Sequence, residues 1–553
     1  MRLGTLLDTE DATPVTGFAI DHRKVAPGNI FGAFRGSVVN GEDFIPAAIA
    51  SGAIAVVASP DAKVEGAIHV AHDDPRRAFA LMATQYFAPF PETIVAVTGT
   101  NGKTSTVELT RQLWRMAGQS AASIGTLGVT TPDERVVTGL TTPDIVTFLS
   151  NMAGLKREGV THVAYEASSH GLHQYRAEGP RVAAGAFTNL SRDHLDYHGD
   201  MAAYFTAKLR LFSEVIGDGG GAVIWADDPR AGRVIDLARE RGLRLMRVGE
   251  AGEELRLVRR TPTQLGQALV VVVEGQDYKI DLPLIGAYQA ANALMSAGLV
   301  IATGGNVAAT LSNLSRLQPV RGRLERACIG KSGAPVYVDY AHTPDALEAA
   351  IAALRPHAKG RLILMFGAGG DRDMGKRIEM GKVAARDSDL AIVTDDNPRT
   401  ENPAVIRKMI LEGAPDATEI GGRRDAIAAA VASSSASQRA NGAISAYVTF
   451  ALTRRNLYRV MFSLPAERLL KEPELGRQVM GAIDALADAF RRKNDPPGIS
   501  ASLRDRAIAA WGFAHGLCDL WHAGALRAQD ATKAHAFIMK LFGTSGLARA
   551  PKP

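Results

Sequence analysis

A glycine-rich stretch carries the most specific chemistry in this chain. Residues 98–105 read Thr-Gly-Thr-Asn-Gly-Lys-Thr-Ser and follow an apolar run. Gly99 and Gly102 allow backbone N–H groups to face a ligand, and Lys103 adds a cation. The hydroxyl of Thr104 is suited to ligate Mg²⁺. This pattern predicts a cradle for nucleoside-triphosphate phosphates, although its spacing is tighter than the standard one. An ordinary glycine-rich turn is the alternative.

Two further polar stretches follow apolar runs. Glu166 opens the sequence Glu-Ala-Ser-Ser-His-Gly, and residues 188–198 read Thr-Asn-Leu-Ser-Arg-Asp-His-Leu-Asp-Tyr-His. Mg²⁺ is usually held by few protein groups together with substrate phosphates, so both stretches are candidates for a metal shell. A polar turn with a helix cap is the alternative for 188–198. Lys208 lies on a predicted apolar helix, where a lone lysine would ordinarily extend to water.

A second pair of polar stretches lies further along the chain. Residues 367–377 read Gly-Ala-Gly-Gly-Asp-Arg-Asp-Met-Gly-Lys-Arg, and residues 395–399 read Asp-Asp-Asn-Pro-Arg. Each follows an apolar run, and strand ends of a parallel sheet meet at one edge. Asp and Arg in both stretches would suit a ligand that bears carboxylates and amines together. Two loops joined by salt bridges are the alternative.

The bulk composition excludes several classes of protein. A chain of 553 residues is too long to fold around one hydrophobic core, so several domains are expected. The 46% hydrophobic content is that of a globular protein. The net charge of +5 comes from 63 basic and 58 acidic residues that are intermixed, so nucleic-acid binding is not expected. Cys328 and Cys518 offer neither a disulfide framework nor a metal cluster, which fits a reducing cytoplasm. We expect no signal peptide and no membrane helix.

Alternating strand and helix patterns predict an α/β protein with several domains. The expected boundaries are a small α/β domain over 1–90, a central parallel sheet over 91–320, a second βαβ series over 321–432, a linker over 433–445 and a helical tail over 446–553. The second βαβ series shows three clear strands, near 336–339, 362–366 and 390–393, fewer than a doubly wound sheet normally has.

The tail is predicted to be helical except for a strand-like piece around 447–450. Its apolar side chains recur at spacings of four and three, which predicts one helix face: Leu503, Ala507, Ala510, Ala514, Leu517 and Trp521. A second stripe on the same helix carries Ile508, Trp511, His515 and Cys518. We expect this helix to be buried against a partner helix or another subunit.

Taken together, the motifs of residues 1 to about 430 resemble the Mur ligases, the ATP-dependent amide-forming enzymes of peptidoglycan synthesis. The resemblance rests on the phosphate loop, on E-A-S-S-H-G-L, T-N-L-S-R-D-H-L-D-Y-H-G and V-D-Y-A-H-T-P-D-A-L, and on G-G-D-R-D and D-N-P-R. It implies an α/β fold of three domains: a small N-terminal domain, a central P-loop ATPase-like parallel sheet and a third, Rossmann-like domain that is truncated here. An all-α tail follows.

The D-N-P-R motif resembles the members of the family that use meso-diaminopimelate rather than lysine. The implied activity is ATP-dependent addition of meso-diaminopimelate to UDP-N-acetylmuramoyl-L-alanyl-D-glutamate through an acyl phosphate. The implied cofactors are ATP and Mg²⁺. A folylpolyglutamate synthetase-like ligase shares the phosphate loop and the lysine, and it is the rival enzyme.

The resemblance also assigns roles by position. ATP would be bound by Gly99, Thr100, Asn101, Gly102, Lys103 and Thr104, and on closure of the third domain by Asn292, Arg323 and Asp339. The metal would be held by Thr104, Glu166, His194 and Lys208, with Lys208 carbamylated by CO₂. The residues that would take part in catalysis are Lys103, Lys208 and His194.

The substrate residues are implied in the same way. The muramoyl dipeptide would contact Thr141, Thr142, Ser168, Gln174 and Arg176, with Ile20 and His22 near the uridine, and diaminopimelate would contact Arg372, Asp396, Asn397, Pro398 and Arg399. The chain departs from the common family pattern at His22, Trp225 and Ala368, where Ser, Asn and Cys are frequent.

The tail is the larger departure, because the last strands of the family and their G-K-G-H-E motif are absent after Val431. The replacement resembles the C-terminal ligand-binding half of TetR-type regulators, without a helix-turn-helix, so DNA binding is not implied. Either a truncated ligase has been fused to a regulator fragment, which we favour, or the helices replace the missing strands functionally. A non-catalytic fusion with a dimerisation or ligand-sensing tail is a third reading.

Overall fold

The computed structural model describes residues 1–36, 39–131, 134–136, 141–263, 266–329, 334–358, 360–371, 373–432, 436–454, 458, 473–490, 499–526, 528 and 530–544. The chain divides into two compact units. The first comprises Met1–Thr261 and Gln267–Gln318, and the second comprises Pro262–Gly266 and Pro319–Pro553. Within the described residues, no helix is both long and apolar enough to span a membrane.

The N-terminal part of the first unit is a small α/β module. Its elements are α1 Leu3–Leu7, β1 Gly17–Ala19, β2 Asn29–Gly32, α2 Ile45–Ala50, β3 Ala53–Ala58, β4 Ile68–Ala71 and α3 Pro75–Phe87. The four strands are parallel and lie in the order β1-β2-β3-β4. Phe18 of β1 meets Phe79 of α3 edge to face, with ring centroids 5.3 Å apart, which anchors the helix on the sheet.

The central part of the first unit contains the phosphate loop. Its elements are β5 Thr93–Thr98, α4 Lys103–Met116, β6 Ala121–Gly125, β7 Gly128–Thr130, β8 Arg135–Val136, α5 Ile145–Arg157, β9 His162–Glu166, α6 Ser169–His173, β10 Val182–Phe187, α7 Leu195–His198, α8 Met201–Arg210, β11 Ile216–Trp225, α9 Ala231–Glu240, β12 Arg244–Gly249, β13 Leu255–Thr263, β14 Gly266–Val273, β15 Gln276–Leu282, α10 Ala287–Ala302 and α11 Val307–Asn313.

These strands form one 11-stranded sheet in the order β15-β14-β13-β12-β11-β10-β5-β9-β6-β7-β8. The middle of the sheet, from β12 to β6, is parallel, while β7, β8 and β15 pair antiparallel at its two ends. Five of the six residues of β5 are buried, as expected for a strand covered by helices on both faces. The predicted parallel sheet over this region is therefore present.

The second unit begins with a reduced α/β region. Its elements are β16 Glu325–Ile329, β17 Pro335–Val338, α12 Pro344–Leu354, β18 Ile363–Phe366, α13 Gly375–Asp387, β19 Leu390–Val393, α14 Pro403–Gly413, β20 Thr418–Glu419 and α15 Arg423–Ala432. The predicted first strand, β17, pairs with β16 in a separate antiparallel hairpin. The parallel sheet is β18-β19-β20, and its third member is a two-residue strand that the sequence pattern did not reveal.

Beyond Ala432, the described residues of the second unit are mainly helical, with α16 Ala436–Thr453, α17 Pro473–Ala489, α18 Ala501–His522 and α19 Ala531–Thr544. Two predictions are corrected. The strand-like piece 447–450 lies inside α16, and the same helix begins at Ala436, within the predicted linker 433–445. The buried positions Ile444, Val448 and Ala451 follow helical spacing, so packing against the other helices overrides the local β propensity.

The long helix α18 buries the predicted face, with one change of register. Leu503, Ala507, Ala510, Ala514 and Cys518 are buried, while Leu517 and Trp521 are only partly covered. On the second stripe, the Nδ1 atom of His515 is 2.8 Å from the Tyr458 hydroxyl. The stripe is therefore partly a hydrogen-bonded surface within the tail rather than a purely apolar one.

Candidate functional site

The phosphate loop connects a buried strand to a helix, as its sequence predicts. Residues Gly99 and Gly102 have φ values of 144° and 86°. An added Cβ at Gly99 would collide with the hydroxyl of Thr188, and one at Gly102 would lie 2.5 Å from Oδ1 of Asn292. Both positions therefore require glycine on conformational and steric grounds. Their Cβ-free surfaces form a backbone cradle of the kind that binds phosphate at a helix N-terminus.

Lys103 begins α4 and points back over the loop. Its Nζ donates hydrogen bonds to the carbonyl oxygens of Gly99 at 2.9 Å and Thr100 at 2.8 Å. These carbonyls hold the ammonium group at the mouth of the loop. Thr104, the next residue, is 5% exposed. The cation and the hydroxyl that the sequence singled out are thus both at the first turn of the helix, where the helix dipole also favours an anion.

The loop is braced from the neighbouring strand end at residues 188–191. The Thr188 hydroxyl donates to the carbonyl of Asn101 at 2.6 Å, and Oδ1 of Asn189 accepts the Asn101 backbone N–H at 2.8 Å. The Thr100 hydroxyl donates to the carbonyl of Ser191 at 3.1 Å. Residues 188–191, for which a polar turn was the alternative to a metal-binding role, therefore fix the conformation of the phosphate loop.

Lys208 lies on α8 and does not extend to water. It is 1% exposed, and its Nζ donates to the Gly99 carbonyl at 2.7 Å. The amine also lies 4.3 Å from the centre of the Tyr204 ring. Burial, followed by the repulsion of Lys103, lowers the pKa of Lys208 well below its ordinary value. Two lysines therefore share one loop carbonyl, and the buried one favours the neutral amine.

His194 lies beside the same loop, in a cluster of aromatic rings. It adopts φ 55°, and its ring is 4.8 Å from that of His170. Burial lowers the pKa of His194 to about 3, against the opposing attraction of Asp193. The imidazole is therefore neutral at physiological pH, which is the form that ligates metal ions.

Glu166 ends β9, which pairs with β5 through Val97. The carboxylate is 2% exposed, and it accepts a hydrogen bond from the backbone N–H of Thr126 at 2.7 Å and one from the Thr126 hydroxyl at 3.3 Å. An added Cβ at Gly125 would collide with this carboxylate. Sequence reasoning missed Thr126, although the Gly-Thr pair at the end of an apolar run was the available signal.

The residues predicted to contact the muramoyl dipeptide form one hydrogen-bonded group. The Thr142 hydroxyl donates to the Glu166 carbonyl at 2.7 Å and lies 2.9 Å from the Ser168 hydroxyl. The Thr141 hydroxyl lies 3.1 Å from that of Thr126. These hydrogen bonds place the predicted substrate contacts beside Glu166, the carboxylate predicted to bind the metal ion.

Gln174 and Arg176 complete that group. The guanidinium of Arg176 donates to Oε1 of Gln174 at 2.7 Å and 3.0 Å, and to the Thr142 carbonyl at 3.3 Å. Nε2 of Gln174 donates to the Tyr197 hydroxyl at 2.8 Å. Tyr197 was not singled out as a contact, although it lies in the motif that carries His194.

Ile20 and His22 lie after β1 in the N-terminal module. Ile20 is 37% exposed, and the His22 ring stacks on Phe44 at 4.4 Å with the planes 3° apart. Asp21 between them caps the following turn by accepting the Arg23 backbone N–H. The two predicted uridine contacts are accessible side chains on one turn.

The predicted nucleotide contacts divide between the two units. Asn292 of α10 is 5% exposed and lies against Gly102. Arg323 and Asp339 belong to the second unit. There, Oδ2 of Asp339 accepts the Leu324 backbone N–H at 2.6 Å, and the Arg323 guanidinium lies 4.4 Å from the centre of the Tyr340 ring.

The two loops predicted to hold diaminopimelate lie side by side in the second unit. The Gly370 backbone N–H donates to the Asn397 carbonyl at 2.8 Å, and the Thr400 hydroxyl donates to Asp371 at 2.7 Å. An added Cβ at Gly370 would collide with the Pro398 carbonyl. The close approach of the two strand ends, which the sequence predicted, is present. Arg372 lies outside the described residues.

Ion pairs hold these loops together, as the alternative of two salt-bridged loops predicts. Arg377 is fully buried, and its guanidinium donates to both carboxylate oxygens of Glu401, at 2.7 Å and 2.8 Å. This pairing lowers the pKa of Glu401 to about 2. The Asp396 carboxylate accepts from Arg423 at 3.1 Å. Arg399 adopts φ 50°. Nothing in the local sequence indicates the roles of Glu401 and Arg423.

Comparison with known protein families covers nearly the whole chain. Residues 14–86 match the Mur ligase family catalytic domain, 97–300 the Mur ligase middle domain and 322–440 the Mur ligase glutamate ligase domain. Residues 441–541 match a tetracyclin repressor-like C-terminal domain.

Individual relatives agree. UDP-N-acetylmuramoyl-L-alanyl-D-glutamate--2,6-diaminopimelate ligase of Zymomonas mobilis is 60% identical over 418 residues, which are 76% of this chain and 86% of that protein. The ligase of the same name from Bradyrhizobium diazoefficiens is 52% identical over 427 residues, 76% of this chain and 87% of that protein. The chain therefore belongs to the Mur ligase family.

Solved structures support the same fold. A UDP-N-acetylmuramoyl-L-alanyl-D-glutamate--2,6-diaminopimelate ligase superposes with a TM-score of 0.59 at 30% identity, covering 77% of this chain and 90% of that one. A folylpolyglutamate synthase from Mycobacterium tuberculosis superposes with a TM-score of 0.55 at 21% identity, covering 65% and 87%. The second likeness reflects the shared fold alone. The predicted resemblances to Mur ligases and to a TetR-type tail are both confirmed.

Proposed function

We propose that the chain catalyses ATP-dependent addition of meso-diaminopimelate to UDP-N-acetylmuramoyl-L-alanyl-D-glutamate. The observation that carries the proposal is the arrangement around Glu166. The strand that Glu166 ends pairs with β5, the strand before the phosphate loop, and Thr142, a predicted substrate contact, donates to the Glu166 carbonyl. The chain is also 60% identical to a ligase named for this reaction. ATP is supplied in the cytoplasm, so we propose the reaction there, as a step of peptidoglycan synthesis and hence of cell growth and division.

The mechanism we propose has two steps. The side-chain carboxylate of the D-glutamyl residue attacks the γ-phosphorus of ATP, the bond to the β-phosphate breaks, and ADP leaves. The amine of diaminopimelate then attacks the acyl phosphate, and the tetrahedral intermediate expels phosphate with loss of a proton from nitrogen. Lys103 and the loop N–H groups would stabilise negative charge on the transferring phosphoryl group.

The residues around the loop fit a bound Mg²⁺. Thr104 offers a hydroxyl, Glu166 a buried carboxylate, and His194 an imidazole that its lowered pKa keeps neutral. Within the described residues, no group of three or more His, Cys, Asp and Glu side chains forms a metal cage by itself. That agrees with an ion that relies on ATP phosphate oxygens for the rest of its shell. When bound, Mg²⁺ would offset phosphate charge.

We propose that Lys208 is carbamylated. A neutral amine can attack CO₂, forming an N–C bond and releasing one proton, and burial favours the neutral amine of Lys208. The product is an anion on the side chain that now donates to the Gly99 carbonyl. It would add a negative charge to a site that holds two lysines, and that charge could support a second metal ion.

Carbamylation has a test that is independent of turnover. Mass spectrometry of the intact protein, after trapping of the carbamate with an alkylating agent, is expected to show one modified lysine at position 208 in bicarbonate buffer. Lys208→Arg should lack the modification, while Lys156→Arg, at a partly exposed lysine, should keep it. Absence of the adduct in the unchanged protein would refute carbamylation.

We propose that the site for diaminopimelate is more impaired in ligand binding than the site for ATP. Asp396, Asn397, Pro398 and Arg399 would contact diaminopimelate, together with Arg372. Their sheet has three strands, of which the outermost, β20, has two residues. We infer that the nucleotide and muramoyl-dipeptide sites are functional, whereas diaminopimelate binding and closure of the third domain are impaired by the replaced C-terminus.

The proposed function is tested by phosphate release from ATP by the full-length protein. Turnover should need both UDP-N-acetylmuramoyl-L-alanyl-D-glutamate and meso-diaminopimelate, and omission of either should reduce it to background. Replacement of the pair by a folate and glutamate tests the folylpolyglutamate synthetase reading, and we expect no turnover with it. Turnover with folate alone would overturn the proposal, and no nucleotide binding at all would favour the non-catalytic fusion.

We further propose that the helical tail forms a homodimer. On α18, Leu520 is 47% exposed, and Gly512 and Gly516 have open space beside them. On α19, Phe537 is 44% exposed. Small residues next to exposed apolar ones suit close packing of a symmetry-related helix.

The dimer is tested by analytical ultracentrifugation of the full-length protein. The unchanged chain should sediment as a dimer, and Leu520→Asp should sediment as a monomer. Val258→Asp is the matched control, because Val258 is 54% exposed in the central sheet, far from the tail in sequence. A monomeric unchanged chain would refute the dimer.

A further inference from the structure

Gln174 and Arg176, two of the predicted contacts to the muramoyl dipeptide, hold one another in place. Oε1 of Gln174 accepts hydrogen bonds from two nitrogens of the Arg176 guanidinium, Nη2 at 2.7 Å and Nε at 3.0 Å. The third nitrogen, Nη1, donates to the Thr142 carbonyl at 3.3 Å. The orientation of the Arg176 guanidinium therefore depends on where the amide oxygen of Gln174 lies.

The other end of the Gln174 amide is held by Tyr197. Nε2 of Gln174 donates to the Tyr197 hydroxyl at 2.8 Å, and the same hydroxyl lies 2.9 Å from Nδ1 of His173. A hydroxyl has one proton to donate and two lone pairs that accept. With Nδ1 of His173 unprotonated, the hydroxyl donates to this nitrogen and accepts from Gln174. Arg176 offers only donors, so one orientation of the amide satisfies both of its neighbours.

The Tyr197 ring is fixed independently of its hydroxyl. It lies against the His170 ring, with centroids 4.2 Å apart, and meets the His198 ring edge to face at 4.8 Å. Tyr197 belongs to α7, the short helix that follows His194, the histidine predicted to bind the metal ion. Tyr197 thus joins the segment of the predicted metal ligand to the segment of the predicted substrate contacts.

We propose that Tyr197 is a positioning residue for the muramoyl dipeptide. Its hydroxyl holds the Gln174 amide, and through that amide the Arg176 guanidinium, in the orientation that the substrate meets. The inference rests on the proposed function, and it assigns Tyr197 no contact with the substrate itself. None of these hydrogen bonds involves the phosphate loop, so ATP binding should not depend on the Tyr197 hydroxyl.

The test is isothermal titration of the full-length protein with UDP-N-acetylmuramoyl-L-alanyl-D-glutamate. Tyr197→Phe keeps the ring contacts and removes the hydroxyl, and it should weaken binding about threefold to tenfold. The KM for this substrate should rise by the same factor while kcat is unchanged, and the affinity for a non-hydrolysable ATP analogue should stay the same. The matched control is Tyr278→Phe, because the Tyr278 hydroxyl also bonds a glutamine side chain, Oε1 of Gln276, at 3.2 Å in β15. Its substrate affinity should be that of the unchanged protein.

A double-mutant cycle shows whether Tyr197 acts through Gln174. Gln174→Ala removes the amide that the hydroxyl holds, so adding Tyr197→Phe to Gln174→Ala should weaken substrate binding no further. Losses that simply add would overturn the inference, because Tyr197 would then act by another route. Equal affinity of Tyr197→Phe and the unchanged protein would overturn it too and leave the proposed function intact. Failure of the unchanged protein to bind the substrate would overturn both.

Discussion

The phosphate loop and the paired loops of the second unit are both strand ends, yet they are built differently. β5 lies in an 11-stranded sheet with β10 and β9 on its two sides, and its loop is braced by Thr188 and Asn189. The loops after β18 and β19 belong to a three-stranded sheet and are joined by charged side chains, above all Arg377 and Glu401. A wide, buried sheet and hydrogen bonds shape the phosphate loop, whereas ion pairs shape the paired loops of the second unit.

This contrast predicts that the two sites respond to different changes. Substitutions at the phosphate loop should abolish chemistry while the fold is kept. Changes around the second unit should act on diaminopimelate use and on stability.

Lys103→Met is expected to lower ATP turnover about 10²- to 10³-fold, because a cation that stabilises the transferring phosphoryl group is lost. Phosphate release measures this loss. Its Nζ donates to the Gly99 and Thr100 carbonyls within the loop, so thermal stability should change little. Lys156→Met, at a partly exposed lysine paired with Glu92, is the control and should retain full turnover. Comparable losses in both variants would contradict the assignment.

Grafting the last strands of a diaminopimelate-adding relative after Val431 should raise diaminopimelate-dependent phosphate release about tenfold or more. The graft would extend the three-stranded sheet and supply the missing G-K-G-H-E motif. The KM for diaminopimelate should fall, while the affinity for ATP stays the same. Equal turnover of the grafted and unchanged chains would show that the helical tail replaces the strands functionally.

Arg377→Met is expected to lower the free energy of unfolding of the second unit clearly, since it removes a fully buried guanidinium that donates to both carboxylate oxygens of Glu401. Chemical denaturation followed by fluorescence measures the change. Arg386→Met on the same helix is the matched control. Its side chain is 59% exposed, and its pairs with Glu348 and Asp387 are screened by water, so they should contribute much less than the buried guanidinium of Arg377. Similar losses in both variants would contradict a special role of Arg377.

Sequence reasoning was most successful where a motif and a regular element coincide. The phosphate loop and the Glu166 strand end follow apolar runs, β5 and β9, whose residues are almost all buried. Periodicity and glycine placement determine such elements locally. Thr126 and Tyr197 were missed because their roles depend on how distant strand ends meet.

The second unit shows where local reasoning fails. β17 looked like the first strand of a parallel series but pairs with β16, and residues 447–450 looked like a strand but lie in a helix. In both places tertiary partners overrode propensity. The partnership of Arg377 with Glu401 joins residues 24 positions apart, and nothing in either residue's local sequence indicates it.

The smallest expected effect concerns His162, which begins β9 in the 11-stranded sheet. Its ring meets Trp114 edge to face, with centroids 5.0 Å apart, and burial lowers its pKa below the ordinary value. In the pH range between the lowered pKa and about 6.5, the unfolded chain binds more protons than the folded one. The free energy of unfolding should therefore decrease as the pH falls below about 6.5.

The expected contribution of His162 is about 0.5–1 kcal/mol between pH 7.5 and pH 5, because the ring is only half-buried and water screens part of the effect. Denaturant unfolding of the unchanged protein and of His162→Gln at several pH values isolates it. The difference between the two proteins at pH 7.5, where the imidazole is neutral in both states, serves as the reference. At pH 5 the free energy of unfolding should have fallen more in the unchanged protein than in His162→Gln, which has no imidazole to protonate. A difference that does not change with pH would mean that the His162 imidazole is protonated as easily in the folded as in the unfolded chain. The start of β9 would then be less tightly packed than its buried neighbours indicate.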